Sequence, residues 1–303
     1  MAANRRRVYQ RPETYQRIVL TERDKQILVA IHAYDGMMSL KQLWRLYFPD
    51  CSSDVQPRRR LRDLCNNGYL TMPTSDEGLR WVPLGETVYW LDKKGARTLA
   101  DLKGVDEADF RWRRAGRWSK ISHDLAVNDF RLIMTEACQL DPDLTLVDWV
   151  PEGEFLHDRD TITYITRNGG SAKRMMQPDS WFQVDKASRR YEGKLASYSF
   201  LVEIDMGTES TVRFGRDKVP SGVAYLKSEL FQQRFGMPYG RYVVITGSEE
   251  RLLNMKSQTE RLGGQKRFYF TTFDLISPQS AFQEPIWWLA GSKKQYLLLP
   301  PGD

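Results

Sequence analysis

The chain turns on Tyr198-Ser199-Phe200-Leu201-Val202-Glu203-Ile204-Asp205-Met206-Gly207-Thr208-Glu209. Apolar and aromatic residues at 198, 200, 201 and 202 give a short run of strand character, and Gly207 ends it. Side chains alternate faces along a strand, so Glu203 and Asp205 point the same way, about 7 Å apart at their Cα atoms. Neighbouring carboxylates repel, and burying them is costly without compensation. Such a pair is therefore either a solvated rim or a metal site. Upstream, Pro178-Asp179 opens a second short aromatic strand, Ser180-Trp181-Phe182-Gln183-Val184, which can bring a third acid to the same edge.

Outward from this stretch, 303 residues allow a substantial core and predict two domains. A hydrophobic content of 41% with 12% aromatics describes a globular chain, not a disordered one. Cys51, Cys65 and Cys138 are scattered without a Cys-x-x-Cys pair, which fits a reducing compartment and excludes a zinc ribbon. The polar, arginine-rich start carries no signal peptide pattern, and no run approaches the eighteen or so apolar residues of a membrane span. A cytoplasmic protein with no membrane partner is expected.

The net charge of +6 is unevenly spread. Residues 1–120 carry 23 Lys/Arg against 15 Asp/Glu, and residues 121–303 carry 22 against 24. A basic module joined to a nearly neutral one that carries acids suggests that the first grips a polyanion and the second acts on it or near it.

Residues 1–18 read as a basic arm, with Arg5, Arg6, Arg7, Arg11 and Arg17 either lying on phosphates or merely solvated. Thr21 and Asp24 form a capping-box-like start to a helix through Ile27, Leu28 and Ile31. Ser39 caps a second helix, with Leu40, Leu43, Trp44 and Tyr47 on its buried side. A third begins near Ser52 or Ser53 and ends by Asn67-Gly68, with a stripe of Leu61, Leu64 and Cys65. Arg59, Arg62, Asp63 and Asn66 fall on its opposite face, flanked by Arg58 and Arg60. Strands at 69–73 and 87–91 follow, joined by a polar loop. Three helices and a hairpin over residues 19–108 predict a winged helix-turn-helix, whose third helix enters the major groove of duplex DNA. Arginine suits guanine, Asn66 suits adenine, and Arg58 and Arg60 suit phosphates. The bland alternative is a solvated helix face.

A helix over Lys93–Lys103 closes this domain, and residues 109–121 read as a basic linker. Arg111, Arg113, Arg114 and Arg117 there can track a DNA backbone while Trp112 and Trp118 stack on bases; equally, both indoles can be packing. Residues 122–303 alternate helices and strands, predicting a mixed α/β domain and an α+β class for the chain as a whole. Ser122 is expected to cap a helix over 124–140, residues 152–173 read as a polar region without elements, and Pro220-Ser221-Gly222 is expected to break the helix after Lys218.

The chain resembles the replication-relaxation family of plasmids and other bacterial mobile elements. The resemblance lies in Leu20-Thr21-Glu22-Arg23-Asp24, Gln42-Leu43, Arg59-Arg60-Leu61, His123-Asp124-Leu125-Ala126-Val127-Asn128-Asp129-Phe130, Pro178-Asp179 and the Glu203 to Glu209 stretch, followed by Lys218 and Tyr225. It implies a winged-helix domain followed by a domain similar to the PD-(D/E)xK nuclease fold. In that pattern Asp179 and Glu203 match, but the lysine position is Asp205, for which Lys218, Arg213 and Lys194 are candidate replacements. An active site of this kind implies Mg²⁺ or Mn²⁺ held by Asp179, Glu203 and Asp205, with Lys218 steadying charge as a metal-bound water attacks a phosphodiester. A degenerate nuclease fold serving a DNA-binding regulator or assembly factor is the alternative. The implied partners are double-stranded DNA and replication, transfer or transposition proteins. His32, His123 and His157 are too dispersed for the clustered histidines of the common relaxase metal site, and no phosphate-binding Gly-Lys loop is present, which argues against an ATPase.

Overall fold

The computed structural model describes residues 8–114, 117–166 and 168–300. Arg5, Arg6 and Arg7 of the arm, and Ala115 and Gly116 of the basic segment, lie outside them. The chain is a mixed α+β protein that divides into two compact units, residues 1–129 and 130–303.

In the first unit, α1 (Glu22–Ala33), α2 (Leu40–Tyr47) and α3 (Val55–Asn66) precede α5 (Lys93–Lys103), and β1 (Met37–Ser39), β2 (Leu70–Thr71) and β3 (Val88–Leu91) form an antiparallel sheet in the order β1-β3-β2. The caps dictate the helix starts. Thr21 and Asp24 make a full reciprocal capping box on α1, and Ser39 and Gln42 make another on α2. Asp92 caps α5, and Gly104, in the left-handed region at φ 64°, ends it. Ile27, Leu28, Ile31, Leu43, Leu61, Leu64 and Cys65 are fully buried, so each of the three predicted stripes contributes to the interior, although Trp44 and Tyr47 are only half-buried. The polar loop departs from expectation: it folds into a short helix, α4 (Asp76–Trp81), capped by Ser75, because a Ser donor-acceptor pattern three residues ahead of Gly78 starts a turn there.

The unit boundary falls inside α6 (Ile121–Leu140), which starts one residue before the predicted cap at Ser122 because a 3₁₀ turn over Trp118–Lys120 leads straight into it. The second unit holds a seven-stranded sheet in the order β12-β11-β10-β9-β8-β7-β4 among the described residues. Its strands are β4 (Leu144–Pro151), β7 (Ser180–Tyr191), β8 (Lys194–Asp205), β9 (Arg241–Thr246), β10 (Phe268–Thr272), β11 (Trp287–Leu289) and β12 (Gln295–Tyr296). β7 and β8 form a long antiparallel hairpin about Glu192 and Gly193, both at positive φ, which is the backbone a two-residue hairpin turn demands. β8, β9 and β10 run parallel.

The face carrying Leu201 packs against α8 (Thr211–Tyr225) and α10 (Glu249–Arg261), in a core that includes Trp181, Phe214, Val219, Tyr242, Leu252 and Phe268. On the other face Phe130 of α6 meets Trp149 and Phe182, and Phe182 stacks on Phe200. Two expectations are corrected here. Residues 152–173 contain α7 (Glu152–His157) and part of a separate two-stranded hairpin, β5 (Thr161–Ile165) with β6 (Ser171–Met175). And α8 is not broken at Pro220 but runs on to Tyr225 before α9 (Glu229–Phe235). Packing overrides the proline: Gly215 lies against Gln258 of α10 and Leu262 just beyond it, Gly222 lies against the Tyr242 ring, and Ser221 Oγ bonds the Asp217 carbonyl.

Candidate functional site

The predicted acids lie on and beside the end of β8. Pairing of β7 with β8 stops at Ser180 opposite Val202. Asp179, the next residue outward, takes over as acceptor: its Oδ2 receives the Ile204 amide at 2.6 Å, while its own amide donates to the Val202 carbonyl. Its carboxylate thus extends the ladder by one bond. Glu203 and Asp205 continue the face begun by Leu201, as alternation requires.

Each of those two acids has acquired a cation from a helix on that face. Lys218 Nζ of α8 donates to Glu203 Oε1 at 2.9 Å and Oε2 at 2.7 Å, and reaches the Gln177 carbonyl at 3.4 Å. Gln177 in turn donates to Glu152 Oε1 at 2.8 Å. Burial works against the Lys218 ammonium, but the carboxylates of Glu203 and Asp179 outweigh it and raise its pKa. Lys218 is therefore a firm cation, not a proton acceptor, at neutral pH. Asp205 accepts from Arg251 of α10, whose Nη2 donates to Oδ1 at 2.7 Å and whose Nε donates to Oδ2, and from Thr246 Oγ1 at 2.7 Å. The sequence does not point to Arg251, which is one basic residue in an amphipathic helix 46 positions away.

Of the other replacement candidates, Arg213 lies in ion pairs with Glu209 and Asp217 and is largely exposed, and Lys194 is exposed at the far end of β8. The structure thus brings Asp179, Glu203 and Lys218 together, with Asp205 turned to Arg251. Among the described residues no group of three or more His, Cys, Asp and Glu side chains is placed to hold a metal ion. A divalent cation at this edge would compete with Lys218 for Glu203 and with Arg251 for Asp205.

In the first unit the arginines separate into two groups. Arg60 Nε donates to Asp24 Oδ1 at 2.9 Å, and its Nη2 also bonds Asp24, a carboxylate with no solvent exposure. Burial pushes the Asp24 carboxyl up, but Arg60 and the Thr21 donors outweigh it and hold its pKa below the ordinary range. Arg58 is paired with Asp54 at 2.6 Å and bonds Thr87 Oγ1. Arg113 donates to Asp124 Oδ2 at 3.0 Å and also bonds Asp35, and Arg117 donates to Asp124 as well. Trp118 packs edge-on to Trp90, its ring centroid 5.5 Å away, and lies over the Met37, Val88 and Ile121 cluster, which makes it a packing residue. By contrast Arg59, Arg62, Arg111 and Arg114 are exposed, and among the described residues no ion pair holds Arg59 or Arg62. Asn66 Oδ1 accepts from Tyr9 at 3.1 Å.

With this arrangement in hand, the family follows. A family model described as replication-relaxation matches residues 31–237, more than half of the chain. The chain belongs to the replication-relaxation family, which ties it to the replication of mobile elements. Searches among curated proteins and among solved structures each found no match. No described helix is long and apolar enough to cross a membrane.

Proposed function

We propose that this chain is a DNA-binding accessory of mobile-element replication, acting with replication, transfer or transposition proteins. Its first unit is read as a winged helix-turn-helix, with α3 as the element that enters the major groove and the segment between β2 and β3 as the wing. Its second unit is read as a PD-(D/E)xK-like domain in which the acids are charge-compensated. The observation that carries the reading is the division of the α3 side chains: Leu61, Leu64 and Cys65 are fully buried while Arg59 and Arg62, on the opposite side of the helix, face solvent with no carboxylate partner among the described residues. Two unpaired guanidinia on the exposed side of a rigid helix are what bidentate contacts to guanine or phosphate require.

The test is a fluorescence-anisotropy titration of the full chain against a labelled duplex over a salt series, beside Arg59→Ala/Arg62→Ala. Binding that weakens steeply with salt, and a variant that binds more weakly with a shallower slope, support the reading. Equal binding by the two proteins removes α3 as the contacting element.

A second reading, metal-dependent cleavage, is favoured by the position of Lys218. A lysine brought from α8 stands on Glu203 and near Asp179, where the strand itself carries Asp205 in place of the motif lysine. Mg²⁺ commonly binds through one or two carboxylates and completes its shell with water and substrate phosphates. On this reading Asp179 and Glu203 hold the ion, which supplies a polarised phosphate and an activated water. Incubation of supercoiled plasmid with Mg²⁺ or Mn²⁺ decides it: nicked or linear product that vanishes in both Asp179→Ala and Glu203→Ala establishes cleavage, and intact plasmid that is still shifted in a gel leaves binding alone.

A further inference from the structure

A second basic feature lies in the second unit, away from the acids. Phe200 of β8 is paired with Arg241, whereas Asp205 is paired with Thr246. These positions are five residues apart, or about 17 Å along parallel strands. Around Arg241 opens a cleft of about 600 Å³ that Lys227, Lys266 and Arg267 also line, together with Tyr198 and Tyr239. No Asp or Glu lines it. Nor does any ion pair hold one of these four cations among the described residues. The surrounding chain gives no reason for such a concentration, because residues 121–303 carry slightly more acids than bases.

The cleft is also built, not incidental. Arg241 is oriented by a hydrogen bond to the Tyr269 hydroxyl at 3.2 Å, and it lies 5.4 Å from the centre of that ring. Lys266 sits at φ 60°, a left-handed conformation that residues with a side chain rarely adopt, in the turn that places it next to Arg267. Tyr239, 69% exposed, stands at the rim. Cations gathered without counter-charges repel one another, so the arrangement suits an anion that spans several of them. The exposed Tyr239 ring, with Tyr198 half-buried in the lining, suits a ligand whose flat faces are open.

We infer that this cleft binds a single strand of nucleic acid, with the four cations on successive phosphates and Tyr239 and Tyr198 stacked on bases. A duplex offers the same phosphates but keeps its base faces stacked inside, and only an unpaired strand uses both halves of the site. The inference is independent of the role given to α3.

The experiment is anisotropy titration of the full chain with a labelled oligo-thymidylate and, separately, a duplex, using Lys227→Ala/Lys266→Ala, Tyr239→Ala and Arg59→Ala/Arg62→Ala. The three cleft side chains are exposed, and a thermal melt of each variant checks that it folds like the wild type. The lysine pair is expected to weaken oligo-thymidylate binding at least tenfold and to reduce the salt slope by about 1.4, at about 0.7 per phosphate contact on a single strand. Tyr239→Ala is expected to weaken it about fivefold or more. Both cleft variants should keep duplex affinity within twofold, and Arg59→Ala/Arg62→Ala should keep the oligo-thymidylate. The inference is overturned by a wild-type chain that does not bind the single strand, by cleft variants within twofold of wild type, by equal losses on duplex, or by single-strand binding that depends on Arg59 and Arg62 instead.

Discussion

The Lys218 ammonium bonds both oxygens of the Glu203 carboxylate, at 2.9 and 2.7 Å, and so neutralises an acid that is 7% exposed on a sheet face covered by α8 and α10. Removing one partner strands the other. Lys218→Met should destabilise the second unit by about 3 kcal/mol, the low end for an uncompensated buried charge because the lysine retains some solvent contact. Combined with Glu203→Gln the loss should shrink, so that urea denaturation of the four proteins gives a coupling of more than about 1 kcal/mol. Additive losses would mean that the two side chains do not support each other.

The same pair sets an alkaline limit. A lysine whose pKa is raised on folding contributes stability that is complete below its unfolded value, near 10.5, and is lost as pH rises through the folded value. Stability of the wild type should therefore decline above about pH 10.5 more steeply than that of Lys218→Met/Glu203→Gln, when measured by denaturant midpoints across that range.

Asp24 behaves in the opposite sense. Its folded pKa is depressed, so its contribution is present above the ordinary carboxylate value of 3.8 and is lost as pH falls through the lower folded value. Asp24→Asn should flatten the acid limb of the stability curve of the first unit, at a cost in stability at pH 7.

Arginines adjacent in sequence should separate by readout. Arg59→Ala and Arg62→Ala should weaken duplex binding by roughly 1–3 kcal/mol per specific contact while leaving the melting temperature nearly unchanged. Arg60→Ala should lower the melting temperature, because it leaves the fully buried Asp24 carboxylate with only its Thr21 donors. A melt and a gel-shift titration on the three variants distinguish these outcomes.

Gly95 in α5 is fixed by backbone, not by turn geometry: a Cβ there would lie 2.0 Å from the Tyr69 carbonyl oxygen. Gly95→Ala should therefore destabilise the first unit by roughly 1–3 kcal/mol, although alanine is the better helix former. A gain in thermal stability would show that α5 moves away from Tyr69 freely.

What could be read from the residues was whatever depended on near neighbours. The Thr21 and Asp24 box, the α5 bounds and the shared face of Glu203 and Asp205 all follow from near spacings along the chain. Contacts made at long range were illegible. Nothing near Arg60 announces Asp24, 36 residues earlier, and nothing near Asp205 announces Arg251. The β5 and β6 hairpin is hard to read because β6 alternates half-buried and exposed residues that include Lys173 and Arg174, and only Ile162 and Tyr164 of β5 turn toward the core. Pro220 predicts a break by a local rule of chain stiffness, but Gly215 and Gly222 let α8 press on its neighbours and carry it through.

The bond between Asp205 and Arg251 also constrains how this chain can change. If lysine once stood at 205, its return by a single substitution would set two cations face to face at the end of β8 and release α10 from the strand. Arg251 would have to change in the same step. The pairing therefore couples the two positions: neither can exchange its charge alone without stranding the other.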